Sequence, residues 1–247
     1  SWGATASFLR KDLVMAKMTL TDLSQEYFIS NDYSSLAHKT KLDYEYYIRV
    51  LLGTKVEGKY LAQMNMKYMT GAKARKAYET WLQRGVVMAN HICAVSRKMY
   101  SFGMEMGYAE TNPFATFKRK QVKPRNVVWS RDQIKKYLDF CYSDFQYRNL
   151  GLISQMAYEW CQRVGDMRML EFSSIDFDKK VLNLEQSKRG ATVHLPIEDE
   201  LFDMLVQQKE DFGFQDYVAP YFKPRNGVYS PYQLNRLSRH AREAITL

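Results

Sequence analysis

The chain has 247 residues, enough apolar material for one large domain or two ordinary ones, and two is the expectation. Lysine and arginine number 36 against 27 acidic residues, a net charge of +9, which favours a polyanionic partner over an acidic-surface enzyme of small metabolites without separating DNA from RNA or anionic lipid. No apolar run approaches the roughly 18 residues of a membrane span and no signal-peptide layout opens the chain, so a soluble intracellular protein with no membrane partner is expected.

Residues 1–19 read as an N-terminal extension, and with the first methionine only at Met15 the start is expected to be a processed or trimmed end. From Leu20 to about Phe117 the pattern is helical. Tyr44, Tyr47, Ile48 and Leu51 recur at three and four residues, as do Met88, Ile92, Val95, Met99, Phe102 and Met106, and such stripes are core faces. Gly53, Thr70-Gly71 and Gly85 punctuate the region, and Gly107 followed by Asn112-Pro113 closes the last helix, since a helix must end before proline. A compact bundle of about four or five helices is expected over 20–117.

Residues 118–125 (Lys-Arg-Lys-Gln-Val-Lys-Pro-Arg) carry five basic residues in eight and no apolar period, which marks 118–127 as a basic linker suited to lie on phosphate. A second domain, 128–247, then opens at Trp129-Ser130, where Ser130 is a good N-cap for a helix through Ile134, Tyr137, Leu138 and Cys141. Another helix covers about Asn149 to Cys161. After a Ser174-Ile175-Asp176 turn the period changes: Val181–Leu184 and Thr192–Leu195 read as two short strands joined through Lys188-Arg189-Gly190, with Pro196 as the stop. Helix returns over Glu198–Gln208 and Pro231–Ile245. The fold class is therefore mainly α, a helical N-terminal domain followed by an α+β domain with a small antiparallel sheet.

Cys93, Cys141 and Cys161 are odd in number, widely spaced and set among apolar residues, which fits buried free thiols. His38, His91, His194 and His240 have no partner at zinc-finger spacing, so no structural metal is expected. His194 reads as an exposed strand residue and His240 as part of a basic helix face.

The chemistry is concentrated in Gln162-Arg163-Val164-Gly165-Asp166-Met167 and in Lys188. An arginine at the mouth of a short apolar helix, with an acidic residue three positions on to hold it, presents a guanidinium to a phosphate. In transesterification at a phosphodiester such a donor stabilises the charge that builds on the non-bridging oxygens, typically by ~2.7–4 kcal/mol. The departing 5′-oxygen needs a proton, which a hairpin lysine can give and a guanidinium such as Arg189 cannot. The bland alternatives are a surface ion pair for Arg163 and Asp166, worth about 0–1 kcal/mol, and a solvated turn lysine for Lys188.

Taken together the residues resemble the tyrosine recombinase, or phage integrase, family, over nearly the whole chain. Its members have a helical core-binding domain ending near an Asn-Pro, as at Asn112-Pro113, then a linker and a catalytic domain opening like Trp129-Ser130. Their first catalytic box reads Thr-Gly-x-Arg-x-x-Glu/Asp and then Trp-x-Asp-Ile-Asp; this chain has Trp160-Cys161-Gln162-Arg163-Val164-Gly165-Asp166, Leu170 and then Ser174-Ile175-Asp176. Trp160-Cys161 stands where the family has Thr-Gly. The resemblance implies that Arg163 is the first catalytic arginine, Asp166 its buttress and Lys188 the hairpin lysine. It also implies breakage and rejoining of double-stranded DNA through a 3′-phosphotyrosyl link with no cofactor, by protomers that form tetramers on DNA, in a phage, a mobile element or chromosome resolution. The family's second box, His-x-x-Arg with a later tyrosine, is not found; Tyr217, Tyr221, Tyr229 and Tyr232 all precede the place where it should begin, so a catalytic domain truncated before its nucleophile is expected.

Backbone contacts to DNA are expected from Lys39, Thr40 and Lys41 at a helix N-terminus, from Arg97 and Lys98 on the exposed side of a long helix, from the linker residues Lys118, Arg119, Lys120, Lys123 and Arg125, and from Arg189. Two other readings compete. A non-catalytic DNA-binding or architectural protein would need no nucleophile. A metal-dependent nuclease is suggested by Asp176, Asp178 and Glu185 before Lys188, although Gln186 stands where that core requires a carboxylate.

Overall fold

The computed structural model describes residues 18–124, 126–188, 190–221 and 227–246. Arg125 and Arg189, both expected on DNA, and residues 1–17 of the extension lie outside the described residues. The chain divides into two compact units, 1–125 and 126–247.

The first unit begins at Met18, whose side chain is buried and whose carbonyl accepts from Met66 N–H. Met18 and Thr19 therefore belong to the unit and not to the extension expected over 1–19. Thr19 caps helix α1 (Leu20–Phe28) in a reciprocal box with Asp22, and Ser30 caps the single turn α2 (Asn31–Ser34). Helix α3 (His38–Leu52) buries Ile48 and Leu51. A two-residue hairpin, β1 (Lys55–Val56) and β2 (Lys59–Tyr60), turns on Glu57 and Gly58, both at positive φ. Thr70 caps α4 (Gly71–Leu82), and α5 (Val86–Glu105) runs through the middle of the core with Ala89, Ile92, Cys93, Val95, Met99 and Phe102 buried. Met106, placed at the end of that stripe, is exposed because the helix has ended by then and Gly107 takes positive φ. Beyond it a 3₁₀ turn, Pro113–Ala115, folds back so that Phe114, fully buried, lies between Trp81 and Tyr100 at centroid distances of 6.1 and 5.5 Å. The buried Trp81 indole N–H is satisfied by Thr54 Oγ1 at 2.8 Å.

In the second unit Ser130 and Gln133 form a capping box at the start of α6 (Arg131–Ser143), and Asp144 caps α7 (Phe145–Glu159). These two helices meet closely at Gly151, where a Cβ would come within 2.7 Å of Cys141 Cβ. The short α8 (Val164–Arg168) follows, then a three-stranded antiparallel sheet in the order β3 (Ile175–Asp176), β4 (Val181–Glu185), β5 (Thr192–Pro196). The hairpin matches the alternation read from sequence, with Leu182 opposite Leu195 and Leu184 opposite Val193. The segment expected as a turn at 174–176 supplies the edge strand β3 instead. Helices α9 (Asp199–Phe212) and α10 (Pro231–Ala244) close the unit; α10 has Pro231 in its first turn and a Ser230–Gln233 capping box. The core gathers Leu152, Ile153 and Met156 of α7 with Leu182, Leu201 and Leu205, all fully buried. Asn149, also buried, ties two elements to it: its Nδ2 donates to the Pro220 carbonyl and its Oδ1 accepts from Gln208, each at 2.6 Å. Among the described residues no helix is long and apolar enough to cross a membrane.

Candidate active site

The site forms where α7 gives way to α8. Trp160 ends α7, and Cys161 reverses the chain at φ +51°, a left-handed conformation that favours glycine. Cys161 is exposed, unlike Cys93 and Cys141, so the expectation of three buried thiols fails at this position because the reversal turns its side chain outward. Arg163 then takes the N-cap position of α8 with an extended backbone, and its carbonyl receives the N–H groups of Asp166 and Met167. Asp166, in the first turn, points inward.

Arg163 Nη1 lies 3.6 Å from Asp166 Oδ2; the arginine side chain is 41% exposed and the aspartate side chain 5%. The carboxylate is thus held in the wall while the guanidinium remains open to a ligand. Asp166 Oδ1 accepts a hydrogen bond from Ser187 Oγ, whereas among the described residues Oδ2 has no hydrogen-bond partner and lies beside the Arg163 guanidinium. One residue earlier, Gln186 Nε2 donates to Gln162 Oε1 at 2.7 Å, and Gln162 Nε2 in turn donates to the Trp160 carbonyl at 3.0 Å. The end of β4 is therefore joined to the segment 162–166 by two side-chain bonds. Lys188, the next residue, is exposed. Within its loop Gln186 N–H donates to Ala191 and Gly190 N–H to Gln186, both at 2.8 Å. A cavity of about 170 Å³ beside these residues is lined by Asp166, Leu170, Glu171, Ser174, Glu185 and Ser187. On the other side of α8, Arg168 donates to the Tyr229 carbonyl, which ties the helix to the approach to α10.

The structure brings the Lys188 loop to the Arg163–Asp166 pair through Ser187 and Gln186, two residues to which sequence reasoning gave no such role. Their partners lie 21 and 24 positions away, and no periodicity or spacing carries that information. Asp176, weighed as a metal ligand, serves its own turn: Oδ1 accepts Lys179 N–H at 3.0 Å and Oδ2 lies 3.6 Å from Lys179 Nζ. His194 is exposed on β5, with Nδ1 2.6 Å from Asn183 Oδ1, and His240 is exposed on α10 beside Arg239.

The residues expected on DNA fall into three groups. Lys39 is exposed and paired with Asp43 at 2.7 Å, Lys98 with Asp32 at 2.7 Å, and Lys41 donates to the Ser34 carbonyl at 2.7 Å, while Thr40 is half-buried on the first turn of α3. Arg97 departs from the exposed face expected of it. It is half-buried, and Nε and Nη2 donate to the Phe114 carbonyl at 3.2 and 2.8 Å, which turns the guanidinium onto the backbone of the 3₁₀ turn. The basic segment 118–124 is not free throughout: Arg119 donates to the Asn90 carbonyl at 3.2 Å, Lys120 N–H donates to Tyr78 Oη at 2.8 Å, and its carbonyl accepts from Asn90 Nδ2 at 2.9 Å. Lys118 and Lys123 are exposed.

Comparison with known proteins gives a consistent picture. The chain is similar in fold to a lambda integrase dimer bound to a COC′ core site, with a TM-score of 0.77 and 20% identity over 93% of this chain and 64% of that one. It is also similar to a lambda integrase tetramer bound to a Holliday junction (TM-score 0.77, 20% identity, 93% of this chain and 67% of that one). A Tn1549 transposon integrase in complex with circular intermediate DNA matches with a TM-score of 0.71 at 15% identity, covering 92% of this chain and 80% of that one. At such identities the likeness is one of fold, and the chain spans under two thirds of the first of these relatives. No curated protein sequence matches this chain significantly. The family model described as "Phage integrase family" matches residues 128–243, a span that takes in the Arg163 turn, the hairpin and both helices after it. The C-terminal span 128–243 is thus similar to the phage integrase family, while the first unit matches known proteins in fold alone.

Proposed function

We propose that the intact protein is a site-specific DNA recombinase or integrase that breaks and rejoins duplex DNA through a 3′-phosphotyrosyl intermediate, without metal or other cofactor. The observation that carries this reading is the joining of the lysine-bearing hairpin to the arginine turn by the Asp166–Ser187 and Gln162–Gln186 bonds. An isolated surface ion pair has no need of a hairpin fastened beside it.

In the proposed reaction a tyrosine oxygen attacks the scissile phosphorus and the bond from phosphorus to the 5′-oxygen breaks. Arg163 donates to a non-bridging oxygen as negative charge accumulates there. Its half-open setting over a buried carboxylate suits that task, because Asp166 restrains the guanidinium without covering it. Lys188 gives its proton to the departing 5′-oxygen, which leaves as a hydroxyl. The attacking tyrosine and the His-x-x-Arg pair that the reaction also requires are not identified in residues 1–247. Tyr229 is a poor nucleophile in any case, since burial pushes its hydroxyl up to about 12.

The first unit is proposed to act as the core-binding domain and the second as the catalytic domain. Exposed cations at Lys39, Lys98, Lys118 and Lys123, with net +9, supply backbone contacts to the duplex. The lambda integrase relatives are described as a dimer on a core site and as a tetramer on a Holliday junction, and the same mode of assembly on DNA is proposed here. The test is a nicked suicide substrate offered to the full-length protein in the presence of a chelator. A covalent protein–DNA adduct that Arg163→Ala abolishes is the expected result. DNA binding with no adduct would instead favour an architectural protein, and cleavage that requires a divalent cation a nuclease.

A further inference from the structure

We propose that Ser187 and Gln186 are positioning residues, a two-point clasp that fixes the Lys188 loop against the Arg163 turn before DNA arrives; this rests on the catalytic reading of Lys188 given above. Each of the two residues before the lysine is bonded by its side chain to the segment that carries the arginine, Gln186 to Gln162 and Ser187 to Asp166. A turn lysine with no duty needs neither bond.

The Asp166 end is the more telling. That carboxylate is nearly excluded from water, and its two oxygens are divided between the two halves of the site: Oδ2 faces Arg163, and Oδ1 takes the Ser187 hydroxyl. One buried anion therefore sets the position of both cations proposed for catalysis. Removing the hydroxyl leaves Oδ1 buried and without its donor, so the loop is released and the aspartate seeks another partner, for which Arg163 is nearest. The Gln162–Gln186 amide pair adds a second fixed point and sits next to the backbone bonds of the loop, those between Gln186, Gly190 and Ala191. With both points held, the Lys188 backbone can move little, and the ammonium explores only what its own stem allows. Pre-positioning of this kind lowers the ordering cost at the moment of reaction.

The experiment uses the full-length protein with Ser187→Ala, Ser187→Thr and Gln186→Ala. Amide hydrogen exchange in the DNA-free protein reports on the clasp itself: Ser187→Ala should accelerate exchange at Gln186 and Gly190 by about tenfold or more, the effect of losing a hydrogen bond to a charged group. Single-turnover cleavage of a suicide substrate should fall by about tenfold in Ser187→Ala with unchanged DNA affinity, and Ser187→Thr, which restores a hydroxyl, should recover most of the rate. Gln186→Ala should act in the same direction and keeps the test open if Ser187→Ala folds poorly. Unaltered exchange, or a Ser187→Ala cleavage rate equal to that of the unsubstituted protein, overturns the clasp. If the unsubstituted protein forms no covalent adduct, the recombinase reading fails, and the exchange measurement still decides whether the loop is fastened.

Discussion

Replacing Arg163 by alanine separates a catalytic guanidinium, as proposed, from a structural one, because the two losses should differ widely in size. The side chain is 41% exposed, so its truncation removes little packing; what the fold loses is the cation 3.6 Å from Asp166 Oδ2. Water screens a half-open pair of this kind, and the carboxylate keeps its Ser187 donor, so the cost to folding is about 1 kcal/mol. If Arg163 acts as proposed, the loss at the transition state is larger. A donor preorganised for the developing charge on a phosphoryl oxygen contributes roughly 2.7–4 kcal/mol, or about 10²–10³ in rate. Single-turnover adduct formation on a suicide substrate and urea unfolding of the same preparation measure the two terms separately. The expected outcome is a rate lowered by at least about a hundredfold with a small shift in the unfolding midpoint, and Arg163→Lys, which keeps the charge and loses the fork, falls between. A rate within threefold of the unsubstituted protein refutes the reasoning, as does a loss of rate that merely follows unfolding.

Other perturbations probe the rest of the molecule. Thr54→Val strands the buried Trp81 indole N–H and should cost about 1–3 kcal/mol in urea unfolding; an unchanged midpoint would show that the bond is dispensable. In DNA binding followed against salt, Lys118→Ala and Lys123→Ala should each reduce the slope of log K on log salt by about one. Arg97→Ala should leave that slope alone and instead destabilise by about 1–2 kcal/mol, since its guanidinium is occupied by the Phe114 carbonyl. Glu159 has its carboxyl raised, chiefly by burial, so the folded state holds its proton to higher pH than the unfolded one. Stability from this group is therefore fullest below the ordinary carboxylate range and declines as pH rises through the raised value. Glu159→Gln, which can keep the contact with Gln155, should stabilise at pH 7 and have no effect near pH 3; equal effects at both would contradict the sign.

Helices whose starts carry a reciprocal cap were legible from sequence because the signal is local: Ser130 with Gln133 shows both partners within four positions. The hairpin was legible for the same reason, with alternation on both sides of a glycine. What escaped was either too short or too distant. Strand β3 is two residues long and exists only by pairing with β4. Arg97 looked like one more cation on an amphipathic helix, and only the carbonyl of Phe114, folded back from 17 positions away, claims it. The Arg163–Asp166 pair, three residues apart, was readable as a pair, but the fastening of Lys188 beside it depends on Gln162 and Asp166 meeting a hairpin far along the chain.

The backbone at Cys161 is left-handed, a shape that favours glycine, and a cysteine held in it costs roughly 1 kcal/mol for its β-carbon. Cys161→Gly should therefore raise stability by up to about 1 kcal/mol, while the native thiol, exposed and two residues from Arg163, offers an anchor for a fluorophore. A dye placed there would sense an approaching sugar–phosphate chain directly, turning an awkward kink into a reporter of docking.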